Sequence, residues 1–223
     1  MPEAIVFDFD GVIVDSEPLH HRAFAVVGEP LGFTFTYEQY LAEYVGFDDR
    51  DAFRLMLRTL GEEPTPGRVA ELCRAKQSAF EAVAEDTAAA GSIAVPGALG
   101  LIDAWADAGR PRAIASGATR ADIDLMLRLL DRTQTFQVIV TADDVERSKP
   151  DPASYALATR RLGVPPEHCL AIEDTAAGLA SATAAGLRTL GLTTTGPAEA
   201  LHQAERIAPD LTRITPEQLD AWY

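Results

Sequence analysis

Lysine is nearly absent from this sequence. Of the 19 basic residues among 223, only Lys76 and Lys149 are lysines, and 34 acidic residues leave a formal net charge of −15. Because nucleic-acid affinity comes mainly from clustered Lys and Arg, this balance argues against nucleic-acid binding. An anionic substrate would need a locally placed cation, either a metal or a few basic side chains. A compact ammonium in an arginine-rich chain is a candidate for a role that the planar guanidinium does not fill.

Long apolar runs and clustered cysteines are also missing. No apolar run approaches the roughly 18 residues that span a membrane, and Met1-Pro2-Glu3 lacks the basic start of a signal peptide. Cys73 and Cys169 lie far apart without a metal-ligand spacing, which favours free thiols in a reducing compartment. We therefore predict a cytoplasmic protein without a membrane partner. The sequence does not determine the oligomeric state and is compatible with a monomer.

The apolar runs that are present are short and rich in β-forming residues. They cover residues 4–9, 112–116, 137–141, 169–172 and 188–192. Helical patterns separate the later runs; the one over residues 119–131 opens with a capping signal formed by Thr119 and Asp122. Strands that alternate with helices predict βαβ units. We therefore predict an α/β fold with a doubly wound parallel sheet.

The interval between the first two predicted strands is too long for one crossover. Residues 17–88 carry only helical patterns, including apolar stripes that begin at Phe53 and at Val69. We predict a small all-helical cap domain at 17–88, inserted after the first strand of a core domain formed by 1–16 and 89–223. In such a core, the ligand site is expected outside the carboxyl ends of the strands.

Two pairs of acidic residues follow predicted buried strands. The first strand ends in Asp8 and Asp10, where Gly11 permits a turn that brings both to one site, and Glu173 and Asp174 follow the fourth strand. An Asp-Gly turn or a helix cap explains either pair alone. Both pairs, however, fall at the same edge of one parallel sheet. Mg²⁺ takes hard oxygen ligands and would relieve the repulsion among four carboxylates, so we predict a magnesium cofactor.

Two further polar positions fall at this edge. Ser116, followed by Gly117 and Ala118, comes after the second strand, where a hydroxyl and backbone N–H groups are suited to hold a phosphoryl oxygen. Lys149 lies in a Lys-Pro-Asp-Pro segment after the third strand, where its ammonium would neutralise the carboxylates and an incoming phosphate. Taken alone, Ser-Gly is an ordinary turn and Lys149 an ordinary loop lysine.

In this order, the four motifs resemble those of haloacid-dehalogenase-superfamily hydrolases. The stretches DFDGVIVDSEPLHHRAF, ASGATR, SKPDP and IEDTAAGLASATAAG resemble the β-phosphoglucomutase-like branch, which has a helical cap, and the resemblance covers nearly the whole chain. It implies that Asp8 attacks phosphorus and forms an aspartyl-phosphate. It also implies that Asp10 protonates the leaving oxygen and then deprotonates the attacking water or alcohol.

The same resemblance implies the ligands of the cofactor. Mg²⁺ would be held by Asp8, the main-chain carbonyl of Asp10, and Asp174. Glu173 would either be a further ligand or support one of these ligands without contacting the ion. The catalytic set would be Asp8 and Asp10 together with Ser116 and Lys149, which hold the phosphoryl group. Gly117 and Ala118 would bind the substrate, and the cap would close over the site and exclude water.

Within the cap, we predict substrate contacts at His20, Gly46, Arg50 and Lys76. Lys76 interrupts the apolar stripe of its helix, where a charge is costly unless it reaches an anion or snorkels to the rim. Arg50, in the loop 46–50, offers a cation to a second acidic group of the substrate. His20 follows the hinge segment, where mutase-like relatives place a histidine. A surface position explains His20 equally well.

The resulting prediction is a Mg²⁺-dependent phosphatase of a small phosphorylated metabolite, a sugar phosphate or similar. The alternative is an intramolecular phosphomutase; Thr119 and Arg120 stand where the mutase has lysine and asparagine, which favours the phosphatase. A receiver-like phospho-switch is a more distant alternative, since receivers are shorter and have adjacent acids after their first strand. Asp10 argues against a 2-haloacid dehalogenase, and the absence of a Gly-rich fingerprint argues against a nucleotide-binding oxidoreductase. A phosphonatase would need a lysine before Lys76.

Overall fold

The computed structural model describes residues 1–44, 47 and 49–223, which form two compact units. The first unit consists of Met1–Asp15 and Ile93–Tyr223, and the second is Ser16–Ser92. The second unit thus extends four residues past position 88. It does so because its last helix continues to Ala90 and is followed by a short connection.

The first unit is built around a parallel sheet. Its strands in chain order are β1 (Ala4–Phe7), β2 (Arg112–Ala115), β3 (Val138–Val140), β4 (Cys169–Glu173), β5 (Arg188–Leu192) and β6 (Arg206–Ala208). In space they follow the order β3-β2-β1-β4-β5-β6, and every pairing among these described strands is parallel. The chain fills one side of β1 first and then returns to fill the other. This is the doubly wound arrangement, and the prediction of that fold is confirmed.

Helices supply both the connections of the sheet and the whole of the second unit. The second unit contains α1 (Glu17–Gly28), α2 (Tyr37–Glu43), α3 (Asp49–Thr59) and α4 (Pro66–Ala90); the first contains α5 (Ala98–Asp107), α6 (Arg120–Leu129), α7 (Ala153–Leu162), α8 (Ala176–Ala184) and α9 (Pro216–Trp222). The predicted cap at Thr119 is formed, because its hydroxyl accepts a hydrogen bond from the N–H of Asp122. No helix within the described ranges is both long enough and apolar enough to cross a bilayer.

The central strand determines where the site lies. All four residues of β1 are fully buried, as expected for a strand covered on both faces. Phe7 pairs with Ile114 of β2 and with Ile172 of β4. The residues that follow these strands therefore emerge side by side at one edge, at the point where the strand order reverses.

The helical unit has its own apolar core. Phe24, Phe53, Met56 and Leu57 are buried in it, and tyrosines of α2 and its C-terminal end pack against them. The stripes predicted to begin at Phe53 and Val69 form the buried faces of α3 and α4. Burying side chains of this size contributes about 1.5–3 kcal/mol each, which allows a helical insertion of this length to pack on its own core.

Candidate active site

Lys149 joins the ends of two neighbouring strands. Its ammonium lies 2.7 Å from Oδ1 of Asp8, which follows β1, and 2.6 Å from Oε1 of Glu173, the last residue of β4. The N–H of Asp8 donates to the carbonyl of Ile172 at 2.9 Å, so the parallel pairing continues into the site. Burial opposes the charge of Lys149, but the Asp8 and Glu173 carboxylates outweigh it and raise the pKa of this lysine. The ammonium is therefore a permanent positive charge beside Asp8.

Glu173 is fully buried, and both of its carboxylate oxygens accept hydrogen bonds. Oε1 accepts from Lys149 and, at 2.9 Å, from the hydroxyl of Tyr155; Oε2 accepts from the hydroxyl of Thr175 at 3.1 Å. Gly178 makes room for this carboxylate, since a Cβ there would lie 1.9 Å from it. Both oxygens of Glu173 are thus occupied by hydrogen bonds that hold Lys149 and the start of α8.

Asp174 differs from Glu173 because one of its oxygens has no donor. Oδ2 accepts a 2.5 Å hydrogen bond from the hydroxyl of Thr195. Oδ1 is buried, and no hydrogen-bond partner reaches it from the part of the chain that the structure describes. A buried carboxylate oxygen in this condition loses its hydration without replacement, unless a cation or an ordered water binds it.

The carboxylates of Asp8, Glu173 and Asp174 form one cluster. One oxygen from each lies within 4.8 Å of the others, and all three residues are buried. Burial and the charge of Glu173 raise the pKa of Asp8 well above its ordinary value, although Lys149 acts in the opposite direction. Burial also raises the pKa of Asp174 to about 7. Hard, crowded oxygen donors with one unpartnered oxygen fit a Mg²⁺ ion.

Asp10 and Gly11 lie in the turn that follows β1. Gly11 has φ of +73°, and its N–H donates to the carbonyl of Val14 at 2.7 Å. The main chain of Asp10 bridges to Val14 as well, and its side chain is half-buried. Among the described residues, the three-carboxylate cluster does not include the Asp10 carboxylate. This is compatible with the expectation that Asp10 offers a main-chain carbonyl to the ion.

Ser116 follows β2 and is buried. Its N–H donates to the carbonyl of Val140, and its hydroxyl accepts from the N–H of Ala118 at 2.9 Å. Ser116 and Gly117 line a small pocket together with Lys149. The structure therefore places Ser116, Gly117 and Lys149, the residues proposed from the sequence to hold a phosphoryl group, around one pocket. The N–H of Ala118 is already engaged by the serine.

Lys76 lies inside the helical unit and is only 3% exposed. Its ammonium lies 2.9 Å from Oδ1 of Asp49 and 2.9 Å from Nδ1 of His20, which must accept because an ammonium only donates. The rings of Phe24 and Phe80 lie about 5 Å from the same ammonium. Burial and the charge of Lys76 lower the pKa of His20 to about 3, so His20 is neutral.

The other two cap residues predicted to contact the substrate are Arg50 and Gly46. Arg50 is exposed in the first turn of α3. Gly46 lies outside the described residues.

A family model described as haloacid dehalogenase-like hydrolase matches residues 5–192. The chain belongs to this family. Its predicted family membership and its predicted nature as an enzyme of that family are both confirmed.

Individual relatives of this haloacid dehalogenase-like hydrolase are similar over nearly their full length. The present chain is 31% identical to validoxylamine A 7'-phosphate phosphatase of Streptomyces hygroscopicus subsp. limoneus, over 96% of both chains. It is similar to the crystal structure of CbbY from Rhodobacter sphaeroides in complex with phosphate, with a TM-score of 0.82, 32% identity and coverage of 99% and 100% of the two chains. A mutant of that CbbY in complex with xylulose-(1,5)bisphosphate gives a TM-score of 0.79 and 31% identity, with 96% of each chain covered.

The structure of this hydrolase adds residues that the sequence reasoning missed. Tyr155 holds Glu173 and lies with its ring 5.0 Å from the ammonium of Lys149. Its position in the first turn of α7, among apolar residues, is typical of a core aromatic, so the sequence gives no signal for it. Thr195 was also missed, although it follows β5 at the same edge as Asp8, and the strand-end rule would have found it.

Gly11 provides a test of the Asp174 geometry in this hydrolase. A Cβ at Gly11 would lie 2.1 Å from Oδ2 of Asp174. We expect Gly11→Ala to displace the Asp174 carboxylate and to weaken Mg²⁺ binding about 10-fold or more, in addition to a backbone cost of about 1–2 kcal/mol. Calorimetric titration with Mg²⁺ measures the affinity, and urea unfolding measures the stability.

Gly109→Ala is the matched control for Gly11→Ala. Gly109 lies in the same unit with φ of +69°, and apart from its two chain neighbours no described residue lies within 4 Å of a Cβ placed there. Gly109→Ala should lose the same unfolding free energy from its backbone strain and keep the wild-type Mg²⁺ affinity. Equal Mg²⁺ affinities in the two variants would contradict the steric argument.

The raised pKa of Asp174 makes the stability of the fold depend on pH. Its folded pKa of about 7 lies above the ordinary value of 3.8, so ionising it destabilises the ion-free fold as the pH rises from about 4 to about 7. A bound cation reverses this penalty. We therefore expect Mg²⁺ to raise the Tm more at a pH of about 8 than at about 5.5. Thermal unfolding with and without Mg²⁺ tests this, and Asp174→Asn should remove most of the difference.

Proposed function

We propose that this hydrolase is a Mg²⁺-dependent phosphatase of a small phosphorylated sugar or a similar metabolite. The observation that carries the proposal is the cluster of Asp8, Glu173 and Asp174 around Lys149, with Oδ1 of Asp174 left without a partner in the described chain. Similarity to validoxylamine A 7'-phosphate phosphatase and to CbbY supports the same substrate class. The compounds named with those relatives are validoxylamine A 7'-phosphate, phosphate and xylulose-(1,5)bisphosphate.

Asp8 is the proposed nucleophile. Its carboxylate follows a rigid central strand, and its Oδ1 receives the Lys149 ammonium at 2.7 Å. That contact opposes the burial that raises the pKa of Asp8, and it favours the ionised form, which is the form that attacks phosphorus. The attack forms a bond between an Asp8 oxygen and phosphorus while the ester oxygen leaves. Water then attacks the same phosphorus, which releases phosphate and restores Asp8.

Lys149 and Ser116 are the proposed holders of the transferring phosphoryl group. The Lys149 ammonium is fixed by Glu173, which is itself held by Tyr155, so its positive charge is in place before the substrate arrives. Preorganised charge of this kind is an effective way to stabilise the equatorial oxygens in the transition state. The Ser116 hydroxyl, which accepts from Ala118, retains its own proton for donation to a phosphoryl oxygen.

Asp8, Asp174 and the main-chain carbonyl of Asp10 are the proposed ligands of Mg²⁺. When bound, the ion neutralises the charge of the phosphoryl group and of the carboxylates that face it. Glu173 is assigned a supporting place because its two oxygens already accept hydrogen bonds from Lys149, Tyr155 and the start of α8.

Asp10 is the proposed acid and base. It lies two residues beyond Asp8, in the turn that Gly11 makes possible. In this position it would donate a proton to the leaving oxygen and later accept one from the attacking water. Because both tasks concern the leaving and entering oxygens, its side chain is needed near the phosphoryl group and not at the ion.

In the helical unit, Arg50 and His20 remain proposed substrate-binding residues. Arg50 is exposed and carries a charge that suits an anionic part of the substrate. Lys76 is proposed to act through His20, whose Nδ1 it occupies, because its own ammonium is already engaged by Asp49 and His20. This engagement leaves one fewer cation for a second phosphate and favours a monophosphate substrate.

A substrate panel tests the proposed function. The purified chain is assayed with Mg²⁺ against hexose, pentose and sugar-alcohol monophosphates, a pentulose bisphosphate, and glucose phosphates with a bisphosphate activator. Phosphate release that EDTA abolishes and Mg²⁺ restores is the expected result. Isomerisation of a glucose phosphate without release would instead favour the mutase, and inactivity across the panel with intact Mg²⁺ binding would favour a phospho-switch.

A further inference from the structure

Two neighbouring threonines after β5 reach into the site without being part of its acid cluster. Thr195 donates its hydroxyl to Oδ2 of Asp174 at 2.5 Å and also approaches the main-chain carbonyl of Asp174 at 3.4 Å. Thr194 donates to the carbonyl of Gly11 at 2.5 Å. One short segment therefore holds both the residue after β4 and the turn after β1.

The bond from Thr195 makes the two oxygens of Asp174 different. Oδ2 has a hydroxyl donor, whereas Oδ1 is buried and lacks a donor within the described chain. A carboxylate on a free side-chain torsion would turn to share its donors, so a donor on one oxygen fixes which oxygen remains open. A hydroxyl is suited to this task because it donates without adding charge to the site.

The surroundings of Gly11 fix the same geometry from the other side. A Cβ at Gly11 would lie 2.7 Å from Cγ2 of Thr195 as well as close to Asp174. The Thr195 side chain is therefore packed between the β1 turn and the carboxylate. The Thr194 hydroxyl secures that turn by donating to the main-chain carbonyl of Gly11, so the contacts of the pair support one another.

We propose that Thr195 is a positioning residue that orients Asp174 so that Oδ1 is presented to the divalent cation, with Thr194 holding the adjoining turn in place. This inference rests on the proposed function, because it assigns Thr195 a task only if Asp174 binds a cation. Outer-sphere hydrogen bonds to metal ligands are worth about 10–100-fold in metal affinity. In this proposal, Thr195 acts only through its contact with Asp174.

The test compares Thr195→Val, which keeps the shape and removes the hydroxyl, with Thr195→Ser, which keeps the hydroxyl. Calorimetric titration of the full chain with MgCl₂ measures the Kd for Mg²⁺. We expect Thr195→Val to raise this Kd about 10–100-fold and Thr195→Ser to stay within a few-fold of the wild type. Phosphatase kcat at saturating Mg²⁺ should fall much less than the affinity does.

Thr193→Val is the matched control, since Thr193 belongs to the same segment and its N–H donates to Ala208 at the end of β6. It should keep the wild-type Kd. If Thr195→Val does not fold, Thr195→Ala gives the same comparison at a loop position. An unchanged Kd in Thr195→Val, or an equal loss in Thr195→Ser, would overturn the inference and leave the proposed phosphatase standing. A wild type that binds no Mg²⁺ would overturn the proposed cation and the inference with it.

Discussion

Asp8→Asn is expected to lower phosphatase kcat by about 10⁴-fold or more. The amide that replaces the carboxylate has no charge and no nucleophilic oxygen of comparable strength, so the proposed covalent step is lost. The asparagine oxygen still accepts the hydrogen bond from Lys149, which makes the change small for the fold. Steady-state assays on p-nitrophenyl phosphate and on the best substrate of the panel measure the effect.

Asp103→Asn is the control for that comparison. Asp103 forms an ion pair with Arg132 in the same unit, outside the site. It undergoes the same chemical change and should keep near wild-type turnover. Thermal unfolding of all three proteins separates lost chemistry from lost structure. Substantial turnover by a folded Asp8→Asn protein would contradict the role of Asp8.

Lys149→Met is expected to affect both activity and stability. Removing the ammonium leaves the Asp8 and Glu173 carboxylates without their shared counter-charge, and Glu173 is fully buried. Breaking a buried ion pair in this way costs about 3–5 kcal/mol. We also expect kcat to fall on the order of 10²–10³-fold, because a preorganised charge beside the phosphoryl group is lost.

The stability loss of Lys149→Met should depend on pH and on Mg²⁺. Lys149 opposes the burial that raises the pKa of Asp8, so without the lysine the folded-state pKa of Asp8 rises further. The loss should therefore be larger at a pH of about 8 than at about 5.5, and Mg²⁺ should reduce it. Urea unfolding measures these differences. Arg110→Met removes the partner of Asp220 elsewhere in the same unit and serves as the control. A loss independent of both pH and Mg²⁺ would contradict the proposed charge balance.

The fold was largely predictable because its signals are local and periodic. Strand β5 was predicted with its observed bounds, and the Thr119 cap and the α3 and α4 stripes were predicted from spacing alone. Strand β6 was missed, since two of its three residues are exposed and its place at the sheet edge comes from pairing with β5. Edge strands of this length carry too few apolar residues to be recognised from the sequence pattern.

The site was predictable to the extent that it follows strand ends. Asp8, Ser116, Lys149 and the Glu173-Asp174 pair were placed at one edge by the rule for parallel sheets. The sequence did not predict that Glu173 would hold Lys149 while Asp174 keeps an open oxygen. These roles depend on which carboxylate Lys149, Tyr155 and Thr195 contact across the sheet. Such contacts join residues that are distant in sequence, and composition does not encode their geometry.

The most direct test of the account is to trap the covalent intermediate. Asp10→Asn is mixed with p-nitrophenyl phosphate and Mg²⁺, quenched in acid and digested, and the peptides are analysed by mass spectrometry. This leaving group needs little help from an acid, so the intermediate should accumulate when the base for its hydrolysis is missing. We expect one phosphoryl group on Asp8, removable by hydroxylamine. Turnover without a phosphorylated enzyme, or a phosphoryl group on another residue, would contradict it.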